Sequence, residues 1–296
     1  MRSGISGLAA IVVVAAGLSA CEAEKPVEAP PPLPEGTIFE LFVTNEDQDK
    51  AFNIVFVPDR AYGDMNDVMN RTAFANEMAG VIENAFWQNQ AYFNGLFKFN
   101  YYYMTVSGSV TARTPDEDGN FRCPIVKWPE ETETDAAFAD QIIMMHKNQL
   151  RDCGGGGRRM TAEPDSFRAI IHEVGHTLFG LPDEYCCDGF YAEVPPVLYR
   201  TRSECRRDPA NEAWRDCERI VSTRDRRTYW RSQGNIKRNL ITMSGGDRVW
   251  ESGPADWAVM RDAFDSLGIP PVSDPSDFAP DRWSYPVSSS RGAGEK

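Results

Sequence analysis

Two histidines, His172 and His176 in the run His172-Glu173-Val174-Gly175-His176, constrain this chain more than any other feature. A spacing of four residues is just over one turn of α-helix, so both imidazoles leave the same face and can converge on one metal ion. The chain has 3 histidines in 296 residues and spends two of them here. A chance match to this pattern in a chain of this length and composition has a probability of roughly 1%.

The flanking residues predict where that helix begins and ends. Glu163-Pro164-Asp165-Ser166 offers capping oxygens and a proline suited to a first turn. Phe167, Ile170, Ile171, Val174 and Leu178 fall at helical spacing and predict the buried stripe. Gly180 is expected to stop the helix in a left-handed conformation, and Pro182 discourages its return.

His172 and His176 are thus expected to be ligands of Zn²⁺. A catalytic zinc takes three protein ligands and keeps one position for water, so a third ligand must follow from elsewhere. Asp183, just past the glycine stop, is the choice, with Glu184 as the alternative. The carboxylate that is not a ligand would orient a ligating imidazole. Glu173 adjoins the first ligand and is expected to act as general base, taking a proton from the attacking water and passing it to the leaving amine. His146 lies outside any ligand-spaced motif and reads as a structural histidine. The glycine run Gly154 to Gly157 lacks the lysine and hydroxyl ending of a phosphate loop and reads as a flexible loop beside the cleft.

Composition bounds the rest. Lys and Arg total 31 against 44 Asp and Glu, a net charge of -13. Such a balance argues against nucleic acid and anionic surfaces as partners. Residues 1–20 read as a signal peptide, with Arg2 ahead of the apolar run Leu8 to Leu18. Leu18-Ser19-Ala20-Cys21 resembles a bacterial lipobox, which implies cleavage before Cys21 and a membrane anchor through lipid on that residue. Residues 21–36 are expected to form a proline-rich tether. Glu22 after the cysteine, by resemblance to Gram-negative lipoproteins, favours the outer membrane, periplasmic or surface-facing. Residues 37–274 are read as the catalytic domain and 275–296 as a polar tail. With Cys21 lipidated, six cysteines remain in an oxidising compartment, and three disulfides are expected. The adjacent Cys186 and Cys187 are expected to bridge to different partners.

The pattern of elements is mixed α/β. Thr37 to Val43, Phe52 to Val57, Phe97 to Val106 and Asp140 to Met145 read as strands, and Asn66 to Trp87 as a long helix. Alternation should turn Tyr102 away from Tyr101 and Tyr103.

The longer run HEVGHTLFGLPDEY, residues 172–185, resembles the signature of the M64 (IgA peptidase) family, metzincin-like zinc metallopeptidases. The strand Phe52 to Asp59 and the glycine run are also similar to that family, so the resemblance covers most of residues 50–265. It implies a metzincin-like zincin: a twisted mixed sheet, an active-site helix over a zinc cleft, and a smaller lower subdomain. It also implies that an edge strand binds substrate backbone by strand addition. Metzincins place a ligand three residues after their glycine, which is Asp183 here, and a methionine turn below the metal, which Met243 resembles. Glycine falls at Gly180 rather than at Phe179, an offset the family's own variant shares. Arg60 and the Cys186-Cys187 pair depart from the family pattern. The function expected is zinc-dependent endopeptidase cleavage of a polypeptide or glycoprotein. The alternatives are a non-catalytic protein- or glycan-binding surface lipoprotein, or a zinc amidase acting on a non-peptide amide.

Overall fold

The structure is a computed structural model that describes residues 37–87, 98–115, 122–154, 157–181, 198–209, 217–221, 226–232 and 254–268. The chain divides into two units, Met1–Pro34 and Glu35–Lys296, and all described residues belong to the second. Cys21, the lipobox, the tether and the polar tail lie outside the described residues.

In chain order the elements that matter here are β1 (Ile38–Phe42), β2 (Phe52–Pro58), α1 (Val68–Val81), β3 (Phe99–Met104), β4 (Ser109–Thr111), β5 (Ile125–Lys127), α2 (Glu131–Thr134), β6 (Gln141–Met145), β7 (Cys153–Gly154), β8 (Arg159–Ala162) and α3 (Phe167–Phe179). After them come β9 (Leu198–Tyr199), α4 (Arg202–Arg207), β10 (Cys217–Val221), β11 (Thr228–Ser232) and α5 (Pro254–Ser266). The fold is mixed α/β around a six-stranded mixed sheet of order β1-β3-β2-β6-β8-β7. Strands β3, β2, β6 and β8 run parallel, and β1 and β7 are antiparallel to their neighbours. A second, antiparallel sheet has the order β10-β11-β9, and β4 pairs with β5.

The central strands carry apolar side chains on both faces because both faces of the sheet are covered, with Asn53 and Asn100 as buried polar residues near their starts. Ile54 and Phe56 of β2 join Ile143 and Met145 of β6 on the face packed by α1, α3 and α5. Val55 and Val57 join Ile142 and Met144 on the other face, with Val110, Ala136 and Ala139. The period of two also sorts the tyrosines as expected. Tyr101 and Tyr103 enter the helix-side core, and Tyr102 enters the opposite one. The four expected strands form, each within about a residue or two of its predicted bounds. The long helix is divided: α-helical to Val81, then a wider π-turn over Ile82–Trp87. Ile82, Ala85 and Phe86 of that turn are buried in the helix-side core.

Two disulfides join described residues, Cys123–Cys153 and Cys205–Cys217. These four cysteines pair among themselves, so none of them serves Cys186 or Cys187, which lie outside the described residues. The expectation that Cys186 and Cys187 bridge to different partners is corrected to the extent that neither partner is one of these four. Cys205 and Cys217 close a short local loop, and Cys123 meets Cys153 at the sheet edge, so proximity in the fold decides both pairs. The Cys123–Cys153 bridge spans 30 residues of chain. Replacing both by serine is expected to cost about 3 kcal/mol through the loop entropy regained by the unfolded chain. Urea unfolding of the oxidised protein and of this variant checks it; an unchanged midpoint would remove the bridge from the account of stability.

Candidate metal centre

Helix α3 forms at the place the sequence assigns it. Gly180 follows it with φ 66 and ψ 22, and its amide and that of Leu181 return to the carbonyls of His176 and Gly175. This left-handed stop satisfies helix carbonyls that would otherwise face no donor. Ile170, Ile171 and Val174 are buried, and Phe167 and Leu178 are partly buried against the same core. Ser166 occupies the N-cap, but its side chain makes no capping bond, in contrast to the expectation from the sequence. The start of the helix is braced from outside instead. Asp152 Oδ1 accepts the Glu163 amide at 2.9 Å, and Glu163 Oε1 accepts the Leu150 amide at 3.1 Å.

One turn of helix brings the two histidines together. Nε2 of His172 and Nε2 of His176 lie 3.0 Å apart, with ring planes at 80°. Nδ1 of His176 lies 2.6 Å from the Leu181 carbonyl, an acceptor, so the proton sits on Nδ1 and the lone pair on Nε2. The glycine stop therefore does two things: it ends the helix, and it places the carbonyl that fixes the His176 tautomer. Such a carbonyl contact is the usual support of a metal-binding imidazole. Two ring nitrogens this close need a proton or a cation between them. Tetrahedral zinc with Zn–N bonds of about 2.0–2.1 Å would hold them roughly 3.4 Å apart, so small ring adjustments would admit it. The two histidines fit a zinc ion in donor type and spacing, and His176 also in tautomer.

Among the described residues no group of three His, Cys, Asp or Glu side chains is arranged to hold a metal. Asp183 and Glu184 lie outside those residues, as does Met243. His146 does not join the pair. It is buried at the end of β6, with Nδ1 2.9 Å from the Asn148 carbonyl and Nε2 3.6 Å from Asp152 Oδ1. This agrees with its reading as a structural histidine.

Glu173 leaves the helix on the side of the sheet edge. Its Oε2 accepts a hydrogen bond from the Gly154 amide, on the outermost strand β7. Thr177, one turn on, donates its hydroxyl to the Glu173 carbonyl at 2.8 Å and lies against the Gln141 side-chain oxygen at the start of β6. The glycine run thus begins beside the site, as the sequence suggests, but Gly154 is a strand residue held by β8 and by the disulfide at Cys153. Sequence reasoning misses both the Leu181 carbonyl and the Gly154 amide, because main-chain groups leave no mark in the residue code.

Asp152 adds a titrating group close to Glu173. Its burial, with the carboxylates of Glu163 and Glu173, pushes the Asp152 carboxyl up to about 7, against the pull of the Glu163 amide and the Ser166 hydroxyl. Burial also lowers its neighbour His146. The folded chain then holds the Asp152 proton more tightly than the unfolded chain, where the ordinary value is 3.8. The resulting stability is whole below about pH 4 and is lost as pH rises toward about 7. Asp152→Asn keeps an acceptor for the Glu163 amide and removes this titration. Between pH 4 and 8 the variant should therefore gain on the parent by roughly 2–4 kcal/mol. Paired urea titrations of metal-free protein measure it, and a difference constant with pH would count against the buried acid.

No protein-family model matches this chain, and no curated protein matches it.

Proposed function

We propose that this chain is a zinc-dependent endopeptidase of the metzincin-like kind that residues 172–185 resemble. The observation that carries the reading is the convergence of the two Nε2 atoms at 3.0 Å, with a carboxylate next in sequence on the same helix. In this reading His172 and His176 hold Zn²⁺ with Asp183 as third ligand and Glu184 as the alternative. Asp183 lies two residues beyond Leu181, whose carbonyl is already on the His176 ring.

Zinc, when bound, supplies Lewis acidity to water and to a carbonyl oxygen at this place. The protein's own groups do the rest. Glu173 accepts a proton from the attacking water at its carboxylate and delivers it to the amine nitrogen as the peptide bond breaks. Leu181 and the helix backbone keep the His176 ring from turning. By the resemblance, extended substrate backbone adds to an edge strand beside the cleft. An extended polypeptide or glycoprotein segment fits that mode.

The same reading places the chain outside the cytoplasm, lipidated at Cys21 and tethered to an outer membrane. Disulfides in the described region suit an oxidising compartment. Among the described residues no helix is long and apolar enough to cross a membrane.

A diverse peptide library, read by mass spectrometry, tests the activity. Cuts by the zinc-loaded protein, lost on chelation and restored by zinc, are the expected result. One zinc bound per chain with no cut in any peptide would overturn the endopeptidase and leave the amidase or the binding lipoprotein.

A further inference from the structure

Gly154 meets Glu173 through its main chain, and three observations give that contact a purpose. The Gly154 amide donates to Glu173 Oε2. A Cβ built on Gly154 would lie 2.8 Å from that same oxygen, 3.3 Å from Thr177 Cγ2 and 3.9 Å from His176 Cβ. The strand is held at the contact and in the two residues before it. Cys153 pairs with Thr161 and is bridged to Cys123, Gly154 pairs with Met160, and Asp152 holds the Glu163 amide. A β-carbon at this place in β7 would therefore press on the Glu173 carboxylate. The Gly154 amide is fixed, while the carboxylate it meets sits at the end of a flexible side chain.

From this we infer that Gly154 is a positioning residue: its amide, carried on a braced edge strand, fixes where the Glu173 carboxylate sits. The inference rests on Glu173 being the general base. Position matters for such a group, because a displacement of about 1 Å in a reacting constellation can cost about 100-fold in rate. Gly154 is needed for close approach and not for an unusual backbone conformation, since its φ is not in the left-handed region. Alanine is thus permitted by the backbone. The atom its methyl would strike is the far end of Glu173, so the fold can accept the change by moving the carboxylate. The Thr177 methyl need yield only by a few tenths of an ångström.

The separation of rate from stability is what a test can use. Gly154→Ala should lower kcat about 10- to 100-fold, with KM and zinc content unchanged. Gly80→Ala, on α1 with open space around its Cβ position, serves as the control and should leave activity as it is. In a Glu173→Asp background the carboxylate is withdrawn by one methylene, so the added methyl has little left to displace. The Gly154→Ala penalty should then shrink to a few-fold, the non-additivity expected of residues in contact. Equal penalties in the two backgrounds, or a loss carried by KM, would overturn the positioning role.

A second measurement does not depend on turnover. In ¹⁵N-glycine-labelled protein, Glu173→Ala should shift the Gly154 amide resonance and speed its hydrogen exchange by roughly 10-fold or more, as local opening becomes easier. No change would overturn the contact itself. If the parent protein cuts no substrate, the endopeptidase reading fails and with it the catalytic sense of the contact, while the amide measurement still decides whether Gly154 holds Glu173.

Discussion

Glu173→Gln should lower kcat by about 1,000-fold or more while the protein still binds one zinc, since general base catalysis contributes about 10²–10⁴-fold. The amide has the shape of the carboxylate but cannot take the proton. It can still accept the Gly154 amide bond that Oε2 accepts now, so neither β7 nor the helix should shift. Thr177 bonds to the Glu173 carbonyl, which the substitution leaves alone. The variant therefore isolates proton transfer from folding. Progress curves on any peptide found in the library, with zinc content and unfolding midpoint measured on the same preparation, decide it. Retained turnover in the zinc-loaded Glu173→Gln variant would remove Glu173 from the chemistry.

The second large effect is on the metal. His172→Ala or His176→Ala should reduce bound zinc from one per chain to near zero after dialysis at submicromolar zinc, with activity lost in parallel. Loss of a group that only supports a ligand costs about 10–100-fold in metal affinity, and loss of a ligand should exceed that. The two histidines differ in surroundings. His172 is buried, while His176 is partly buried and has its ring held by Leu181. Both variants should nevertheless fail, because each histidine supplies one of the two converging nitrogens. The comparison of Asp183→Ala with Glu184→Ala then assigns the third ligand. The variant that loses zinc names it, and a fall of about 10-fold in the other would mark it as the supporting carboxylate. Zinc retained in both single-histidine variants would place the metal elsewhere.

The residues that would do chemistry are legible in the sequence because their geometry is local. A spacing of one helical turn brings His172 and His176 together whatever surrounds them, provided the helix forms. Its formation is legible too, in the apolar stripe through Ile170, Ile171 and Val174 and in the stop at Gly180. The central strands are legible because they are buried on both faces and carry apolar runs. The helix cap departs from expectation for a non-local reason: Ser166 is of the right type, but Asp152, eleven residues before Glu163, makes the bracing bond. The cysteine pairing departs because residue spacing says nothing of which thiols the fold brings close.

Sequence by itself thus determined a helix with two converging imidazoles, a neighbouring carboxylate, a glycine stop, and a sheet of buried strands. These follow from periodicities of about 3.6 and 2, which act over a few residues. Tertiary structure alone decided that β7 is the antiparallel edge, that Cys123 anchors it, that Asp152 is buried near Glu173, and that the Gly154 amide meets the Glu173 carboxylate. Those contacts join segments about 10 to 30 residues apart through main-chain atoms and burial, and neither is written in the identity of the residues that make them.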